Sequence, residues 1–413
     1  MSKIKKITAR EILDSRGWPA ISIKISADNG LESSASAANG DDYEIKEFQD
    51  GEMHRYKGKG LLKAIRKIED IISPLLIGQK IGDQKATDEI LTKLDNKTKE
   101  TVGRNSLFAL SSALARLGAM NEKQELFSYL NQKLALNSMS VPVPIFNIFD
   151  GGAYADTNLD FQEFLIIPKK ASAAEMVRIG AEVFHELAVV LEKSGYDTDT
   201  GSEGGYAPDL DSSIEAIELI LAAAINAGYQ PGKDIKLGID IASSLLYEAE
   251  NKKYIFSLDH AQLNSSDLIS LYNNWLEKYP LIYLEDALAE SDYASWSKLT
   301  AELGGKLLIA GDDLFKTNID SLRRGLKEKM ANTILIKPGQ AGTLTEIADC
   351  IKLAQKHNYR VVLSQEIGET NDDFIADLAY ACGADFLKSG SLARGERVAK
   401  YNRLMEIENL VNN

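Results

Sequence analysis

The second half of the chain carries apolar runs that each end on a polar or charged residue. They are Ile235–Asp240, Leu281–Glu285, 307–312, 333–337, 361–365 and 384–388, and their last residues are Asp240, Glu285, Asp312, Lys337, Gln365 and Lys388. Runs this apolar are buried on both faces when they fold as strands. An ammonium such as that of Lys337 is costly at the tip of a buried strand unless anions or a ligand meet it. The neighbouring runs supply those anions.

Helical patterns fill the intervals. Ser265–Lys278 starts at a serine cap, places Leu268, Leu271, Trp275 and Leu276 at helical spacing, and stops before Pro280; residues 318–330 and 343–357 read likewise. The arrangement predicts parallel strands alternating with helices, with a polar residue at each strand's C-terminal end. A (β/α)8 barrel with its site on that face requires this pattern, and an open doubly wound sheet also satisfies it.

The 413 residues exceed one ordinary domain and fit a barrel of about 250 residues plus a smaller domain. Residues 1–138 read as an α+β domain. Residues 4–35 alternate apolar and polar with turn signals, a mobile loop is expected from Ala35 to Gly51, and helices are expected over 60–77, 85–94 and 105–136. Residues 139–413 then form the barrel domain, opening on the apolar run 141–149 and the Gly-Gly loop 150–156. A second strand over 161–168 carries Gln162 and Glu163, a helix ends at Gly195, and the loop 201–208 holds Glu203 ahead of two glycines.

The net charge of −14 argues against nucleic acid as a partner. No apolar run has the length of a membrane span, and the first residues lack the apolar core of a signal peptide, so a cytoplasmic protein is expected. Cys350 and Cys382, without metal-ligand spacing, read as core residues of a reducing compartment.

The motifs 11–17 (Glu-Ile-Leu-Asp-Ser-Arg-Gly), 147–152, 162–164, 203–208, 282–286, 311–315, 334–337, 368–370 and 397–402, in this order, resemble those of the enolase (phosphopyruvate hydratase) family over essentially the whole chain. The resemblance implies an enolase-type (β/α)8 barrel with an irregular opening, an N-terminal α+β capping domain, a homodimer or higher homo-oligomer, and a small-molecule carboxylate substrate. It implies Asp240, Glu285 and Asp312 as ligands of Mg²⁺, hard oxygen donors suited to that ion. Lys337 resembles the base that takes the proton α to the carboxylate, with Lys388 lowering its pKa and holding the substrate carboxylate. Glu203, with Glu163, resembles the acid pair that helps the β-hydroxyl leave, and Gln162 and Tyr154 fall among the substrate-binding positions.

Several positions depart from the family pattern. Asn39 replaces a loop serine that helps bind a second Mg²⁺, Asp150 replaces an asparagine, Tyr154 a histidine and Ser202 an aspartate. Gln365, Glu366 and Ile367 stand where the family has His, Arg and Ser, the last two of which hold the substrate phosphate. Arginine to glutamate moves the local charge by two units against a dianion. The expected function is therefore an enolase-type lyase acting on something other than 2-phosphoglycerate. An ordinary phosphopyruvate hydratase with Lys46 replacing the arginine, or an inactive binding protein, are the alternatives.

Overall fold

The computed structural model describes residues 2–39, 49–94 and 103–412. Two compact units make up the chain: residues 1–140, 336–353 and 363–384 in the first, and 141–335, 354–362 and 385–413 in the second. Lys46 and most of the loop expected over 35–51 lie outside the described residues.

The first unit opens with an antiparallel sheet of β1 (Ile4–Leu13), β2 (Pro19–Ala27) and β3 (Glu32–Ala37). The strand pattern expected to fail at Ala35 continues to Ala37 through pairing of Ala37 with Ile21. The helix expected over 60–77 is α1 (Leu62–Lys67) and α2 (Ser73–Leu76) joined by a π-helical segment, Ile68–Ile72. After α3 (Gln84–Leu94), the single helix expected over 105–136 is two, α4 (Arg104–Glu122) and α5 (Leu126–Leu134). Lys123 is the reason: its left-handed backbone (φ 54°) closes α4 and turns the chain. Leu107, Leu110, Leu114 and Leu117 of α4 are buried, and the helix packs on β2 and β3.

The barrel strands begin with β4 (Val143–Asp150) and β5 (Glu163–Pro168), followed by α6 (Ala173–Ser194), α7 (Ser213–Asn226) and β6 (Ile235–Asp240). A small sheet of β7 (Tyr247–Glu248), β8 (Lys253–Phe256) and β9 (Ala261–Leu263) interrupts the alternation. Then come α8 (Ser265–Lys278), β10 (Leu281–Glu285), α9 (Tyr293–Leu303), β11 (Leu308–Gly311), α10 (Ile319–Glu328) and β12 (Thr333–Ile336). The chain ends with α11 (Pro338–Ala341), α12 (Leu344–Lys356), β13 (Arg360–Ser364), α13 (Phe374–Ala381), β14 (Phe386–Lys388) and α14 (Gly395–Asn412). Eight strands close in the order β10-β11-β12-β13-β14-β4-β5-β6. α8 has the expected bounds, but its cap is Asn264 rather than the expected serine: Asn264 and Asp267 cap the first turn reciprocally.

The barrel is not all-parallel. β5 runs antiparallel to both β4 and β6. The connection, residues 151–162, holds only a single 3-10 turn (Gly152–Tyr154) and no crossover helix, and the chain returns in the opposite direction. Val143, Ile145, Leu165, Ile167, Tyr283, Ala310, Leu335 and Val362 pack together as a core, accounting for the near-continuous apolar runs. Among the described residues no helix is long and apolar enough to cross a membrane.

Candidate active site

Reversal of β5 decides which carboxylates meet. Glu163 is the first residue of β5, whereas Asp240 and Glu285 are the last residues of β6 and β10. In the ladders Glu163 stands opposite Asp240, and Asp240 opposite Glu285. The start of a reversed strand thus shares a rim with the ends of its neighbours. Carboxylate oxygens of Glu163, Asp240 and Glu285 lie within 4.8 Å of one another, and all three residues are buried.

Lys388, the last residue of β14, reaches into this group. Its Nζ contacts Glu163, lies 2.8 Å from Glu285 Oε1 and 3.1 Å from Asp240 Oδ2, and the residue is 5% exposed. Tyr283 donates its hydroxyl to Glu285 Oε2 at 2.6 Å, the amide of Ala242 donates to Asp240 Oδ1 at 3.1 Å, and Gln162 Nε2 approaches Asp240 Oδ2 at 3.5 Å.

Burial opposes every charge here, and the neighbours decide how each group responds. For Lys388, burial is outweighed by Asp240, Glu163 and Glu285, which hold the ammonium charged well above its ordinary range. For Asp240, burial is outweighed by Lys388, and the carboxyl stays below its usual value. Glu163 is raised well above the carboxylate range by burial, and Glu285 is pushed up to about 8 by burial and then by Asp240. Without a metal the group therefore holds Asp240 and Lys388 charged and Glu163 and Glu285 toward their protonated forms. Three hard oxygen donors within reach of one another fit a divalent cation such as Mg²⁺, whose charge would favour loss of those protons.

Asp312 follows β11 directly, and its charge helps raise Glu285. Sequence reasoning overlooked Asp286, whose carboxylate accepts the amides of Asp312 (3.0 Å) and Asp313 (2.9 Å) and so fixes the turn that presents Asp312. Its only sequence signal is the acidic pair Glu285-Asp286.

Glu203 occupies a second polar cluster in the same unit. It is 3% exposed, its Oε1 lies 3.1 Å from Arg397 Nη2, and its amide donates to Asp150 Oδ2 at 2.9 Å. Arg397, in the first turn of α14, is fully buried; it opens the motif 397–402, which by itself assigns it no role, and its guanidinium donates to the carbonyl of Ser202 at 3.3 Å. Burial and then Glu203 push Asp150 up to about 8. A side chain at Gly201 would run into the Asp150 carboxylate, so glycine is required for this close approach. Tyr154 is half-buried, and its carbonyl accepts the amide of Ser202 at 2.9 Å.

The remaining candidates lie in the first unit. Lys337 follows β12 directly at the cap position of α11 and is half-buried. Gln365 and Glu366 follow β13, and the amide of Glu366 donates to Glu369 Oε1 at 3.0 Å. A narrow cavity beside Glu366 is also lined by Glu369, Asp372 and Asn105, and its described lining includes no lysine or arginine. Arg16 is close to Gly368, but Asp14 holds its guanidinium at 3.0 Å. Asn39 donates to the carbonyl of Lys59 at 3.1 Å. His54, His185, His260 and His357 are all exposed.

Residues 138–413 match the family described as enolase, C-terminal TIM barrel domain, and residues 4–130 match enolase, N-terminal domain. The chain belongs to the enolase family. Family membership supports a lyase of the enolase superfamily, and the buried carboxylate group could hold a metal ion. In this enolase-family chain, Glu163, Asp240, Glu285 and Lys388 form one cluster, and Glu203, Asp150 and Arg397 form another.

Proposed function

We propose that this protein is a Mg²⁺-dependent hydro-lyase that removes the proton α to a substrate carboxylate and expels a β-hydroxyl as water, on a substrate lacking the phosphate of 2-phosphoglycerate. The observation that carries the second half is the setting of Glu366. Where a phosphate-binding arginine is expected there is a carboxylate, and Glu369 and Asp372 line the same cavity. Asp372 is neutralised by Arg116, but among the described lining residues a phosphate brought there would meet the Glu366 and Glu369 carboxylates and no lysine or arginine.

Asp240, Glu285 and Asp312 are the proposed metal ligands, with Glu163 close enough to Asp240 and Glu285 to share them. Mg²⁺, when bound, supplies positive charge for the electron density that gathers on the substrate carboxylate after proton removal. Lys337 is the proposed base and Lys388 the proposed carboxylate-binding cation. Glu163, held toward its protonated form by burial, is suited to giving a proton to the leaving hydroxyl. Glu203, fixed by Arg397, acts with it. Gln162 and Tyr154 contact the substrate in this reading, and Gln365 and Glu366 face its distal end.

A cleft of about 800 Å³ opens beside Gln162, with Asn158, Asp160, Asp211 and His260 in its walls and no lysine or arginine in its described lining.

Small hydroxycarboxylates incubated with the protein in deuterated water should show Mg²⁺-dependent α-exchange for at least one member. Lys337→Ala should lose that exchange and keep metal binding. Exchange that persists in Lys337→Ala places the base elsewhere.

A further inference from the structure

The Lys388 ammonium does more than neutralise one neighbour. It contacts the same three carboxylates, Glu163, Asp240 and Glu285, whose oxygens lie close enough together to hold a metal ion. The ammonium donates hydrogen bonds to Asp240 Oδ2 and Glu285 Oε1 and is ion-paired with Glu163. A divalent cation binds through the same oxygens, at distances near 2 Å for Mg²⁺. Two cations centred on one group of oxygens would repel each other strongly in a buried setting. They are alternative occupants.

We propose that Lys388 is a built-in competitor of the divalent cation: its ammonium holds the carboxylate group together until the metal arrives, and metal binding drives it out of that group. The released ammonium is then available to a substrate carboxylate. This rests on the reading of Asp240 and Glu285 as metal ligands and adds the coupling between that metal and the lysine. The lysine lowers apparent metal affinity, since the metal must displace an ion pair rather than enter a preformed site.

Lys388→Met keeps the length of the side chain and removes the charge. Titration calorimetry with Mg²⁺ alone, on full-length protein stripped with chelator, compares the variant with the unsubstituted chain. The expected result is at least about tenfold tighter Mg²⁺ binding by Lys388→Met, together with a lower melting temperature in chelator that Mg²⁺ restores. Equal or weaker binding by the variant overturns the competition and leaves the metal site standing. Failure of both proteins to bind Mg²⁺ removes the metal site and the competition together. Binding by Lys388→Met alone supports the lysine as the stronger occupant.

Should Lys388→Met not fold, the unsubstituted protein carries the test. Nitrogen-15 spectra of the lysine side chains report an ammonium held by three carboxylates as a slowly exchanging signal. Mg²⁺ should accelerate exchange at Lys388. A signal that stays slow at saturating Mg²⁺ overturns the proposal.

Discussion

Glu163 and Asp240 stand opposite each other in the β5–β6 ladder, although one opens its strand and the other closes its own. The pairing exists because β5 is antiparallel to both neighbours in the barrel. It makes a buried carboxyl pair that the Lys388 ammonium already contacts and that a divalent cation would hold fully ionised.

Mg²⁺ should therefore stabilise the folded protein. At a hundredfold excess over Kd, binding to the native state alone adds about 2.7 kcal/mol, visible as a rise in melting temperature. Asp240→Asn and Asp312→Ala should each abolish most of that rise. An unchanged Mg²⁺ response in both variants would show that the ion binds elsewhere.

Turnover of 2-phosphoglycerate should be at least about a thousandfold slower than in enolases with an intact phosphate pocket, equivalent to some 4 kcal/mol of transition-state stabilisation. Replacing Gln365, Glu366 and Ile367 together by His, Arg and Ser should recover part of it, since an arginine can fork onto a phosphate and glutamate cannot. Steady-state kinetics of both proteins check this. Ordinary turnover by the unsubstituted chain would mean that another cation reaches the phosphate.

Asp150 should make stability depend on pH. Its carboxyl is raised to about 8 by burial and by Glu203, above its value in the unfolded chain. A raised group adds stability that is complete below the unfolded pKa, near 4, and is lost as pH climbs toward the folded value near 8. Asp150→Asn removes the charge and should be more stable than the unsubstituted protein at pH 8 by a few kcal/mol, with little difference at pH 4. Asn147 makes the change tolerable: its Oδ1 is buried without a hydrogen-bond partner, and turning the amide over would offer it to the new side chain. Denaturant midpoints measured across this range should diverge as pH rises; parallel curves would count against the raised carboxyl.

Arg397→Met should be more damaging than its distance in sequence from Glu203 suggests. The arginine is fully buried, and its loss leaves Glu203 buried without that cation, a change that costs about 3–5 kcal/mol in comparable buried pairs. Arg397→Lys should lose less stability yet fail to restore the rate, because an ammonium cannot hold both Glu203 and the Ser202 carbonyl in one plane. Chemical denaturation and deuterium-exchange rates separate the two effects. A lysine variant with full activity would reduce Arg397 to a packing residue.

The sequence by itself determined the strand tips. Continuous apolar runs ending on Asp240, Glu285, Lys337 and Lys388 announce buried strands with polar ends, because burial on both faces and a polar rim are properties of each short segment. Helix bounds were legible where caps are local, as for α8 with Asn264 and Asp267, and illegible where one left-handed residue, Lys123, divides an otherwise helical pattern. Only the tertiary structure decided that β5 runs backwards, which carries Glu163 to the rim from the opposite end of its strand. It alone placed Lys388 among three carboxylates and a buried arginine of the last helix against Glu203. Pairings over such separations leave no periodicity in the chain: they arise when closure of the barrel brings distant strand ends onto one rim, and the charges then settle according to burial and neighbours.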